Sequence, residues 1–70
     1  MYKTNEKLLK EQMKEKRVSF EELAEKVGCD RATLYRRLQN GTLRIADMLC
    51  ISDTLSLDPA MSEAIFLNRQ

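Results

Sequence analysis

The sequence predicts an all-α protein of five short helices, and three observations carry that prediction. Apolar residues recur at helical spacing almost from end to end, β-branched runs with a period of two are absent, and helix-start residues stand ahead of most apolar stretches. A chain of 70 residues, 43% apolar and 33% charged, with two glycines and one proline, fits one small compact domain over 1–70. At that size a large internal substrate pocket is not expected.

The first helix is expected from Asn5 to Arg17, where Leu8, Leu9 and Met13 form an apolar stripe and Glu11 and Glu15 are spaced to meet nearby lysines. Ser19 and Glu22 then form a capping box, in which each side chain satisfies the other's free amide, and Phe20, Leu23, Ala24 and Val27 follow at i, i+3, i+4 and i+7. This second helix ends at Gly28, a residue suited to a left-handed cap. Asp30 caps the third helix through the amide of Ala32 or Thr33, and Asn40-Gly41 stops it.

A fourth helix covers roughly Ile45 to Leu55, with Ile45, Met48, Leu49, Ser52 and Leu55 on one side. Its start signal is weak, because Arg44 stands where a hydroxyl is expected; Thr42 is the substitute cap. Asp58-Pro59 opens the fifth helix, aspartate as cap and proline at the first helical position. Met61, Ala64 and Ile65 line its inner face and leave Phe66 and Leu67 to turn partly outward.

Catalytic and metal chemistry find little support. There is no histidine, and Cys29 and Cys50 lie far apart outside any CxxC pair, so the thiols read as small, buried, reduced side chains. With no activating histidine and no clustered carboxylates, neither a catalytic residue nor a cofactor or metal is expected. No apolar run approaches the ~20 residues that span a bilayer. The start MYKTNEKLLKEQ lacks a secretory apolar stretch, so a cytoplasmic protein without a membrane partner is expected.

Net charge of +1 conceals a strong pattern. Residues 31–44 hold four arginines and no acid, whereas residues 18–30 and 45–70 each carry four acids against one base. With Leu34 at zero on the third helix, Leu38 falls at about 40°, Ala32 at about 160° and Arg36 at about 200°. If the leucines face the core, Ala32 and Arg36 point directly away from it. Such a face, bordered by Arg31 and Arg37, suits a DNA major groove: the forked guanidinium can bond guanine and the alanine can touch a thymine methyl. Thr33, Asn40, Thr42 and Arg44 are placed to bond phosphates. For Tyr35, a phosphate bond from the hydroxyl and packing of the ring at the core edge stay equally open. A charge run alone is only a solvated face; the short helix, the Gly28-Cys29-Asp30 turn and the basic second partner together make the case.

The segment LAEKVGCDRATLYRRLQNG resembles the helix-turn-helix of the phage-repressor and Cro type, the XRE-like family, at about 19–40. Leu23, Ala24, Gly28 and Leu34 match the family's Leu-Ala-x-x-x-Gly and following apolar position, and the flanking helices fit its five-helix, lambda-repressor-like plan. The resemblance implies that Arg31, Ala32 and Arg36 read bases; Thr33, Tyr35, Arg37, Asn40, Thr42 and Arg44 are, from their placement, the candidates for phosphate binding. Three departures stand out: Phe20 replaces a frequent phosphate-clamping glutamine, Asn40-Gly41 comes one residue late, and Arg44 replaces the hydroxyl cap.

The resemblance further implies a non-enzymatic transcriptional regulator, a repressor of the phage or mobile-element kind. Double-stranded DNA with a two-fold symmetric operator is the expected partner, bound by a homodimer. Phe66 and Leu67 are its expected interface, although they equally suit the core. The alternative is an antirepressor-like modulator that uses the same scaffold to bind another phage regulator. Near-neutral charge, the missing glutamine and the acidic second helix point that way.

Overall fold

Five helices follow one another through short connections: α1 (Glu6–Lys16), α2 (Phe20–Val27), α3 (Arg31–Asn40), α4 (Ile45–Thr54) and α5 (Pro59–Phe66). The structure is a computed structural model that describes residues 2–69. The all-α expectation holds with one addition that periodicity did not predict. Tyr2–Lys3 (β1) and Asn68–Arg69 (β2) pair antiparallel, Tyr2 opposite Arg69 and Lys3 opposite Asn68. Beside this pair the Asn5 amide donates to the Ile65 carbonyl at 2.7 Å, tying the start of α1 to the end of α5.

The helix starts follow their caps. Side-chain oxygens of Asn5, Ser19, Asp30 and Asp58 accept from the amides of Leu8, Glu22, Thr33 and Met61 respectively. Ser19 and Glu22 complete the expected box, the Ser19 amide donating to Glu22 Oε1 at 3.4 Å. For α4 the substitute cap is corrected: Arg44, not Thr42, occupies the N-cap position, and the Thr42 amide instead closes the end of α3 on the Arg37 carbonyl at 3.0 Å. An arginine offers no acceptor, so Asp47 supplies the missing half, its Oδ2 accepting from the Arg44 amide at 3.1 Å.

Leu23 of α2, Leu34 and Leu38 of α3, Ile51 of α4 and Ile65 of α5 are fully buried and form the core's centre. α2 packs against both α3 and α4, and its Ala24 is 2% exposed. Two orientations differ from expectation. Phe66 does not turn outward; it is 3% exposed and closes the core, while Ala64 faces solvent. Conversely, Ile45 and Leu49 are 74% and 62% exposed. The core edge of α4 is set by Asp47, Ile51 and Leu55, and Ile45 and Leu49 lie about 120–160° round the helix from Ile51. No α1 glutamate pairs with a lysine among the described residues; Glu15 accepts instead from Gln12 Nε2 at 3.5 Å. No helix of the described residues is long and apolar enough to cross a membrane.

Candidate nucleic-acid interface

The turn that presents α3 is built from three consecutive residues. Gly28 adopts φ +93°, and an added Cβ there would meet nothing within 4 Å, so the glycine answers a backbone requirement rather than a lack of space. The amides of Gly28 and Cys29 both donate to the Ala24 carbonyl, at 2.9 and 3.1 Å, which closes α2 and turns the chain. Asp30 then receives the Thr33 amide at 2.7 Å and starts α3. That bond, a further one with the Thr33 side chain and the nearby Arg36 charge hold the Asp30 carboxyl below its ordinary pKa.

With Leu34 and Leu38 inward, α3 exposes Arg31, Ala32, Tyr35, Arg36, Gln39 and Asn40; Thr33 and Arg37 are half-buried at its edges. Thr42 and Arg44 are exposed just beyond the helix. Of the two readings left open for Tyr35, the ring packing is seen. Its ring meets Phe20 edge to face, centroids 6.1 Å apart and planes at 77°, and its hydroxyl accepts from Gln39 Nε2 at 3.0 Å. Phe20, in the position of the missing glutamine, therefore braces the start of α2 against α3 through an aromatic contact.

Three of the four arginines in the acid-free segment find acidic partners elsewhere in the fold. Arg31 lies 3.8 Å from Glu21, both well exposed, a pair worth little and easily broken. Arg37 and Arg44 converge on Asp47, which is 2% exposed, at 3.4 Å and 3.1 Å. Burial pushes the Asp47 carboxyl up, but the hydrogen bonds from the Arg44 side chain and amide and the charges of Arg44 and Arg37 outweigh it and hold it below the usual range. The same carboxylate raises the Arg44 pKa further above its already high value. Among the described residues Arg36 forms no ion pair, leaving its guanidinium open to a ligand at the centre of the exposed face.

Sequence reasoning missed Asp47, although an acid three residues after a helix start was there to be read as the return half of a capping box. The cysteines are free and half-buried rather than fully buried. Cys50 Sγ lies 3.2 Å from the Lys26 carbonyl and links α4 to the last turn of α2.

A capped helix, a left-handed turn and a second helix with an outward cationic face define a helix-turn-helix DNA-binding domain. Residues 8–60, more than half of the chain, match the family described as the Cro/C1-type HTH DNA-binding domain, and the chain belongs to that family. No curated protein and no solved structure matches it. The class of function that follows is a DNA-binding regulator.

Proposed function

We propose that the protein is a sequence-specific transcriptional repressor of the phage or mobile-element kind, which places α3 in the major groove of a two-fold symmetric operator. The observation that carries the reading is Arg36, exposed on the α3 face away from the core and outside every ion pair among the described residues. In this reading Arg31, Ala32 and Arg36 meet bases, and Thr33, Tyr35, Asn40 and Thr42 meet phosphates. Arg44, two-thirds exposed and held by Asp47, presents its remaining N–H groups to the backbone, with Arg37 bracing the same carboxylate.

A homodimer is part of the proposal. The longest dimension, 28 Å, is less than the ~34 Å between half-sites one turn apart, so one copy reaches one half-site. Ile45, Leu49 and Leu67 supply an exposed apolar surface for the second copy, beside a groove of about 560 Å³ between α4 and α5. Phe66 contributes from beneath, as a core residue lining that groove. Sedimentation showing a monomer both free and on DNA would remove the dimer.

Selection from random duplexes is expected to enrich a palindromic motif. On that motif Arg36→Ala weakens binding by about 1–3 kcal/mol and relaxes base preference, whereas Arg44→Ala weakens all sequences alike and flattens the salt dependence. Equal losses from Arg36→Ala on selected and random duplexes would take Arg36 out of the reading role. The same apolar surface also favours a second reading, an antirepressor-like modulator that binds another regulator. It takes over if selection enriches no motif while a repressor is captured through Ile45 and Leu49.

A further inference from the structure

Three lysines outside the helix-turn-helix extend its cationic side. Lys7, Lys10 and Lys14 follow one another at i, i+3 and i+7 on α1, and so share an arc of about 60°. All three are exposed, and none forms an ion pair or a side-chain hydrogen bond among the described residues, even though Glu11 and Glu15 stand on the same helix. Lys10 also shares a wall-to-wall groove with α3. A groove of about 620 Å³ runs between the two helices, with Lys10 on one rim, Arg31 and Tyr35 on the other, and Leu9 and Leu38 below.

The charge spacing suits one partner. From Lys7 to Lys14 the helix advances about 10 Å, which spans two to three phosphates of one DNA strand at a rise of about 3.4 Å each. Lysine ammoniums are point charges that hold phosphate without distinguishing bases. Lys10 lines, with Glu6, the groove that opens beside the N-terminal turn of α3, where the proposed base-reading side chains begin, and Lys14 and Lys7 lie about 40° and 60° further round α1 from it. We infer that Lys7, Lys10 and Lys14 form a second phosphate-binding strip, gripping the duplex backbone beside the bases met by α3. The inference rests on the DNA-binding reading of α3.

The test is fluorescence anisotropy of the full chain on the selected duplex and on a random duplex of equal length, across a salt series. Lys7→Gln/Lys10→Gln/Lys14→Gln is expected to bind both duplexes more weakly and to flatten the slope of log affinity against log salt by about 2–3. The ratio between the two duplexes should stay within about twofold of the parent, because phosphate contacts carry no sequence. Glutamine keeps helix propensity, and single variants separate placement from net charge. Lys10→Gln should lower the slope by about 1, while Lys16→Gln, on another side of α1, should leave it unchanged.

Unchanged slopes for the triple and Lys10 variants, with Arg36→Ala still losing base preference, would overturn the strip and leave the α3 reading intact. Equal effects of Lys10→Gln and Lys16→Gln would also overturn it, since only net charge would then matter. If the parent chain binds neither duplex, both readings fall together.

Discussion

α2 and α4 lie on either side of α3 in sequence and start with the same local device, an acid three residues after the cap, yet the device does different work in each. Glu22 is exposed, and among the described residues its carboxylate accepts from Ser19 alone, from the amide and from the hydroxyl. Asp47 is buried and accepts from the Arg44 amide, from Arg44 Nε and Nη2 and from Arg37 Nη1, so one carboxylate joins the last turn of α3 to the first turn of α4. The difference follows from burial: an exposed acid is satisfied by water, whereas a buried one must bring its own donors and cations. A cap that is local in sequence thereby becomes a tertiary joint beside the proposed DNA face.

The strongest attempt to break this contrast is Asp47→Ala. Losing charge-assisted bonds at a buried acceptor is expected to cost about 2–3 kcal/mol, with the melting temperature falling by about 4–8 °C per kcal/mol in a domain this small. Denaturant and thermal melts that place this variant level with Ser19→Ala would abolish the distinction between the two starts.

Acid titration sharpens the same point. Burial raises the Asp47 pKa, but the Arg44 hydrogen bonds and the Arg44 and Arg37 charges outweigh it, so the folded value lies below the unfolded one. A depressed carboxylate contributes fully above its unfolded pKa, near 4, and loses that contribution as pH falls through the folded value. Stability of the parent chain should therefore drop on acidification from about pH 4, and Asp47→Asn should show a shallower drop. Asp30, lowered chiefly by the Thr33 backbone hydrogen bond, keeps part of the acid limb in that variant. An identical acid limb in both chains would mean that Asp47 is not the linked group.

The contrast also marks what was legible in the sequence. Ser19-x-x-Glu22, Asp30 and Asp58-Pro59 announce their helices because the cap and its amide lie within one turn. Leu34 and Leu38 likewise fixed the outward face of α3, since two apolar residues one turn apart leave a charged helix little choice. On α4 the wheel was ambiguous: it grouped Ile45 and Leu49 with Met48 and Leu55 but held no sign that a charged residue, Asp47, would share the core side. That placement depends on Arg37, ten positions away, which no local pattern contains. Phe66 and the terminal strand pair were lost for a similar reason, as both depend on the two ends of the chain meeting.

Ser19→Ala probes the simpler start. Removing its hydroxyl leaves the Glu22 amide without its side-chain acceptor, at a cost of about 1 kcal/mol. The loss should depend little on salt, because the two bonds lost, from the Glu22 amide to the hydroxyl and from the hydroxyl to the Glu22 carboxylate, involve no ion pair. A loss that shrinks in high salt would show that the Glu22 charge, not the serine cap, governs the start of α2.

The far ends of the two helices give the smallest expected effect. Both chains of backbone turn left-handed on leaving the helix, α2 at Gly28 with φ +93° and α4 at Ser56 with φ +51°. Glycine reaches that region freely, whereas a side chain there costs about 1–2 kcal/mol. Ser56 nevertheless holds because its amide donates to the Asp53 carbonyl at 3.2 Å and the next amide, that of Leu57, reaches the Ser52 carbonyl at 2.9 Å. Ser56→Gly keeps both bonds and removes the steric cost, but frees the unfolded chain by about 0.4–1 kcal/mol in the opposite direction. A net gain of about 0.5 kcal/mol is expected from these opposing magnitudes, measurable as a rise of a few degrees in melting temperature. A loss instead would mean that the two hydrogen bonds already relieve the serine, and that the two helix ends are equivalent despite their different residues.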